Sequence, residues 1–379
     1  MALEPSGAGG NVFVRTSLLR QGRPEEARVA WRQFLDRQAK VHDDWDGYAE
    51  LCLFLADVAE YHRACRELLD RFESSTDPHV WERTGRACLL LPETPQQIER
   101  AAALIDRALA ADKSRYAAWA TPFFLFAQGL AEYRRNSLRN AIAILEGDAS
   151  RVMGPAPRIV LAMARYRSGE REEARRTLAS AVIDHDWRAA SADRREIWMY
   201  HVLRREAEAM LFPKLPAFLA GTYQPAHQCE RLAFVGACEF NGLTSAAARL
   251  CADAFAAEPS LANDPERARK YYAACMAASA GCGRGEDALK LSEEQRARLR
   301  DQARQWLRAE LAAWAKKLDS DPAARESVEN ALTRWLVDPD LAGLREPEFL
   351  DRLPVAESRA CREMWKEIDA QIERARRQK

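Results

Sequence analysis

Strand signals are missing from this sequence: no β-branched run of useful length occurs anywhere in its 379 residues. That excludes a sheet-based fold, and with it the strand-to-helix loops on which nucleotide-binding folds depend. No apolar stretch approaches the roughly 18 residues that a membrane span needs. The opening "MALEPSGAGG" has no basic segment followed by an apolar one, so no secretory leader is expected. Charge of one sign is also lacking, because 57 basic residues, mostly arginine, are interspersed with 57 acidic ones. Without a net field, neither nucleic acid nor an anionic membrane is expected as a partner. The nine cysteines are odd in number and form no C-x-x-C pair. In apolar contexts such as "YAELCLFLA", "RACLLL" and "VGACEF" they read as buried thiols of a reducing cytoplasm, not as a disulfide or metal framework.

Catalytic signatures are absent as well. A protein kinase requires a Gly-rich loop, a strand lysine, an H-R-D loop and a D-F-G aspartate, and none is present. His42, His62, His79, His185, His201 and His227 form no H-E-x-x-H or Cys/His cluster. No G-x-S-x-G supports a hydrolase. "VHDDWD" at 41–46 gathers an imidazole and three carboxylates, but its place just before a helix makes Asp43, Asp44 or Asp46 capping residues. "AGCGRGEDALKL" at 280–291 alternates Gly281, Gly283 and Gly285. A phosphate cradle would need a preceding strand, and Glu286 and Asp287 would repel the anion, so a turn between helices is the better reading. No catalytic residue, cofactor or metal site is expected.

What the chain has in abundance is helix. Ala, Leu, Arg and Glu dominate from residue 11, and apolar residues recur at three- and four-residue steps. The punctuation repeats: "QGRPEEARVAW" at 21–31 and "SGEREEARRTL" at 168–178 share a glycine, paired glutamates, an alanine and a later apolar residue. "NSLRNAIAIL" and "NGLTSAAARLC" are looser copies. The phrase alanines, Ala27, Ala64, Ala101, Ala141, Ala174, Ala247 and Ala288, lie 37, 37, 40, 33, 73 and 41 residues apart. The long interval holds "REIWMYHVLRREAEAML", read as a further helix pair. Such a period with one fixed small residue is what stacked helix pairs require: alanine where the helices cross closely, glycine at positive φ in the turn.

This pattern resembles the tetratricopeptide repeat. Trp81 with Gly85, and Gly129, match its first helix, Gly22, Gly169, Gly242 and Gly283 its turn, Trp31 its second-helix aromatic and Pro259 its closing proline. Asn136 replaces a turn glycine, Pro92 opens a longer loop and Ser292 stands at an apolar position. Residues 50–379, with "ARKYYAACMAASAGCGRGEDA" and "WLVDPDLAGLREPEFLDRLPVAE", also resemble the C-terminal helical-repeat region of large planctomycete proteins. There the region follows a serine/threonine kinase domain or a WD-repeat propeller. The resemblance implies an all-α, right-handed TPR-like solenoid of about seven or eight pairs. Its divisions are a disordered stub at 1–10, repeats at 11–291 and a capping region at 292–379. It also implies a non-catalytic cytoplasmic scaffold that offers a concave groove to a protein or peptide, with a kinase or WD-repeat protein as the implied partner. The alternative is a regulatory subunit or detached accessory region of a kinase.

One groove site stands out. Tyr133-Arg134 and Tyr166-Arg167 lie 33 residues apart, one repeat, at the ends of first helices, with Phe126 and Met163 nearby as apolar floor. A ladder of arginines there could grip carboxylates of an extended peptide. Equally, the tyrosines could pack between repeats while the arginines pair with Glu132 or Glu170. Near the C-terminus, Ser292 with Gln295 signals the cap of a long helix to Leu318, and another helix runs from Glu357 to Arg376. Val12, Val14 and Leu18 look like a face made to be covered, so residues 11–35 are expected to be frayed or buried by a partner.

Overall fold

The structure, a computed structural model, describes residues 8–37, 39, 41–112, 116–188 and 195–377. It is all-α among the described residues, and the chain divides into two compact units: residues 1–181 with 190–216, and 182–189 with 217–379.

Among the described residues the first unit holds α1 (Ala8–Arg20) paired with α2 (Pro24–Arg37), α3 (Tyr48–Phe54) with α4 (Val58–Phe72), α5 (Pro78–Cys88) with α6 (Pro95–Ala110), α7 (Thr121–Arg134) with α8 (Leu138–Glu146), and α9 (Ala156–Ser168) with all but the last two residues of α10 (Arg171–Ile183). A single helix follows, α11 (Arg195–Leu211), and the short α12 (Leu215–Leu219) leads on. In the second unit α13 (Gln228–Phe240) pairs with α14 (Thr244–Ala257), and α15 (Arg269–Gly281) with α16 (Glu293–Ser320). The chain closes with α17 (Arg325–Trp335), α18 (Pro347–Leu350) and α19 (Val355–Arg377).

A single turn geometry recurs. Arg23, Asp57, Ser137, Glu170, Leu243 and Arg284 each donate a backbone N–H to the carbonyl five residues earlier, at 2.8–2.9 Å. The residue before each donor, Gly22, Ala56, Asn136, Gly169, Gly242 or Gly283, has positive φ. This is the Schellman ending of a helix, which satisfies carbonyls that would otherwise lack partners. Asn136 tolerates the left-handed conformation better than other side-chain-bearing residues, which explains its substitution for glycine. All seven phrase alanines are fully buried. Gly85 shows the same need for close approach, since a Cβ there would sit 2.6 Å from the Ala101 carbonyl and 2.8 Å from Ile105.

Several expectations change. Ala8, Gly9 and Gly10 belong to α1, so helix reaches into the stretch expected to be disordered; residues 1–7 lie outside the described residues. Val14 and Leu18 are half-buried where α1 packs on α2, while the side chain of Val12 lies outside what is described. Ser292 and Gln295 form the expected capping box. Yet α16 packs along α15 as its partner, so a region drawn from residue 292 begins inside a helix pair.

The glycine-rich segment is a turn that docks onto its neighbour. Glu286 donates its N–H to the Gly242 carbonyl at 2.9 Å, and Thr244 Oγ1 donates to the Arg284 carbonyl at 2.7 Å. At Gly285 a Cβ would lie 2.2 Å from Thr244 Oγ1, so the approach itself demands glycine. Asp287 then accepts from the N–H groups of Ser245 and Ala246, at 3.1 and 2.8 Å, and caps α14 from another pair. Ala288 consequently sits in a short 3-10 turn, not at the helix crossing expected for it.

Candidate interaction surface

In the first unit α11 packs against first helices of several pairs. Gly47, just before α3, sits against Arg195 and Trp198, and Arg205 donates to the carbonyls of Leu53 and Phe54 at the end of α3. On α5, Arg86 reaches the Met199 sulfur at 3.7 Å. Arg134, ending α7, binds Glu206, and α9 packs along α11 from the other side. Positions rise together along α3 and α11, so these two helices run in the same direction. Trp198, Met199, Leu203, Ala207 and Leu211 are all nearly inaccessible, as are Arg204 and Glu208. A helix enclosed on most sides carries apolar residues without a single stripe. That is why "REIWMYHVLRREAEAML" forms one helix and not the expected pair.

Of the anticipated groove residues, Tyr133, Arg134 and Arg167 come together, and the roles differ from those expected. Phe126 and Met163 are fully buried and belong to the core, so neither is an accessible floor. Tyr133 is 1% exposed, while Tyr166 is half-buried. Both arginines engage the same ring: the guanidinium carbons of Arg134 and Arg167 lie 5.2 and 5.1 Å from the Tyr133 centroid. Arg134 is largely enclosed. Its Nε donates to the Leu89 carbonyl at 2.7 Å, one terminal nitrogen also reaches the Leu90 carbonyl, and Glu206 accepts two bonds at 2.5 and 2.7 Å. Desolvation works against its charge, but the bond to Glu206 more than offsets this and raises its pKa. Burial raises that of Tyr133.

Arg167 differs. It is exposed, and among the described residues the oxygens it donates to are neutral, including the Tyr133 carbonyl at 3.4 Å and Asn136 Oδ1 at 2.8 Å. Arg171, also exposed, lies 5.8 Å from the Tyr166 centroid. Among the described residues, no carboxylate forms an ion pair with Arg167 or Arg171. Most arginines around them do have one: Arg135 pairs with Glu99, Asp106 and Glu132, and Arg165 with Glu146 and Glu173. Thus Glu132 and Glu170, the anticipated alternative partners, bind Arg135 and approach Arg165 instead. Sequence reasoning missed Glu206, Asn136 and Arg171; only the 33-residue spacing pointed to this edge.

Other polar clusters have internal explanations. In "VHDDWD", Asp44 accepts the Val41 N–H at 3.1 Å, and Asp43 and Asp46 pair with Arg83 at 3.3 and 3.4 Å. His42 is buried, which pushes its pKa down to about 4. Within the second unit Cys275, Asp338 and Asp340 offer three donor atoms close together. Tyr271 donates to Asp338 at 2.5 Å, Ser279 and Arg188 donate to Asp340 at 3.1 and 2.5 Å, and burial raises the thiol pKa well above its usual range. These groups already satisfy one another.

No family model matches the chain, and no curated protein matches it in sequence. Among solved structures it is similar to the TPR domain of P58(IPK), at 12% identity over 98% of this chain and 97% of that one, with a TM-score of 0.23. Human IFIT1, solved as a dimer with m7Gppp-AAAA, matches at 12% identity over 99% of this chain and 89% of that one, with a TM-score of 0.26. Superposition this loose carries no argument, so the repeat character rests on the chain's own turns and alanines. No helix among the described residues is long and apolar enough to cross a membrane.

Proposed function

We propose that this chain is a non-catalytic protein-interaction scaffold that meets its partner at the ends of α7 and α9 in the first unit, using Tyr133, Arg134, Tyr166 and Arg167. The supporting observation is the placement of α11. With α11 packed against α3, α5, α7 and α9, Arg167 and Tyr166 remain accessible at the ends of α7 and α9, while Arg134 and Tyr133 are held by internal contacts. Nine thiols without a disulfide agree with a reducing, cytoplasmic setting. A kinase or WD-repeat protein as partner rests on the family resemblance alone.

A photo-crosslinking residue tests the location. Placed at Tyr166, it should capture a protein partner; placed at Val337, an exposed position in the second unit, it should not. Capture from Val337 with none from Tyr166 would move the interface and end this reading.

A further inference from the structure

Resting on that reading, we infer that Arg167 is a vacant carboxylate seat and that the partner segment presents a glutamate or aspartate side chain to it. The ligand chemistry is displayed one repeat earlier. Arg134 and Arg167 occupy equivalent positions 33 residues apart, at the ends of α7 and α9, and both guanidinium groups lie against the Tyr133 ring. On Arg134 this arrangement holds a carboxylate through both terminal nitrogens, with Glu206 oxygens at 2.5 and 2.7 Å. On Arg167 no carboxylate among the described residues takes part, and the oxygens it meets, among them a carbonyl and an amide, carry no charge. A stacked guanidinium has already lost much of its rotamer freedom, so a carboxylate arriving there gains a bidentate bond at reduced entropic cost. Arg171, held near Tyr166 and likewise without an ion-pair partner among the described residues, adds a second positive charge to the edge. The chemistry selected is an acidic segment.

The probe is a short fluorescein-labelled oligoglutamate peptide, followed by anisotropy at low salt, with an oligolysine peptide for comparison. Wild type should bind oligoglutamate and not oligolysine. Arg167→Ala should weaken binding about tenfold or more, the equivalent of one charge-assisted contact, with unchanged helicity. Arg167→Lys should fall between, because an ammonium cannot make the bidentate pair. Arg298→Ala removes another exposed arginine, one already paired with Glu294, and should leave affinity unchanged. Equal affinity for wild type and Arg167→Ala, or an equal loss from Arg298→Ala, would overturn the inference. Such a result leaves the crosslinking test above to judge the scaffold reading separately, since crosslinking at Tyr166 does not depend on the partner's charge.

Discussion

Arg134→Ala and Arg167→Ala delete the same side chain from equivalent positions, and the structure assigns them opposite consequences. Arg134 closes the end of α5: that helix stops at Cys88, and the carbonyls of Leu89 and Leu90, two buried residues, turn to the guanidinium. Truncation leaves both oxygens without this partner, at about 1–3 kcal/mol each. It also strands Glu206, whose side chain is 25% exposed, so water covers part of that loss. A total of about 2–6 kcal/mol follows, and for a unit of roughly 200 residues each kcal/mol corresponds to about 2–4 °C. The melting point should therefore fall by about 4–24 °C, read as loss of helical circular dichroism. Arg167, exposed and bonded to neutral acceptors, should cost about 0–1 kcal/mol. Arg134→Lys should recover part of the loss, because one ammonium cannot span two carbonyls and a carboxylate. Indistinguishable melting of the Arg134→Ala and Arg167→Ala variants would show that Arg134 does not hold the end of α5.

Two further outcomes follow. Glu310 is 1% exposed, and burial raises its pKa to about 7, with Lys270 lowering and Asp264 raising it. A raised carboxyl pKa contributes stability that is full below the unfolded value of about 4.5 and is lost as pH rises through 7, with each unit worth about 1.4 kcal/mol. Glu310→Gln should thus resist urea better than wild type at pH 8, by up to about 3 kcal/mol, and differ little at pH 4; a pH-independent gap contradicts this. Asp287→Ala should remove the cap of α14 and cost about 0.5–2 kcal/mol in urea unfolding, with Asp287→Asn milder; no change would show that the two bonds contribute nothing.

The helix pairs were legible because their determinants are local. Ala27 or Ala174 identifies a crossing within its own phrase, and Gly169 marks a turn that its neighbours complete. What could not be read were roles set by distant segments. Arg134 looks like Arg167 in sequence, and only Glu206, 72 residues away, separates a structural guanidinium from an available one. Similarly, nothing within 280–291 announces that Asp287 serves α14, because its two donors lie about forty residues upstream. α11 escaped for a related reason: enclosure on most sides permits buried Arg204 and Glu208 beside Trp198, so it shows neither a stripe nor a phrase.

An array in which each pair touches only its neighbours loses stability piecemeal, from the ends inward. The position of α11 removes that option from the first unit. Because one helix touches α3, α5, α7 and α9, the third helix of the chain remains without part of its packing until residues near 211 have been synthesised. Fraying at any one of these four pairs loosens the contact shared by the others. The four pairs should accordingly unfold as a single cooperative block, tied together by a helix that follows them all in sequence.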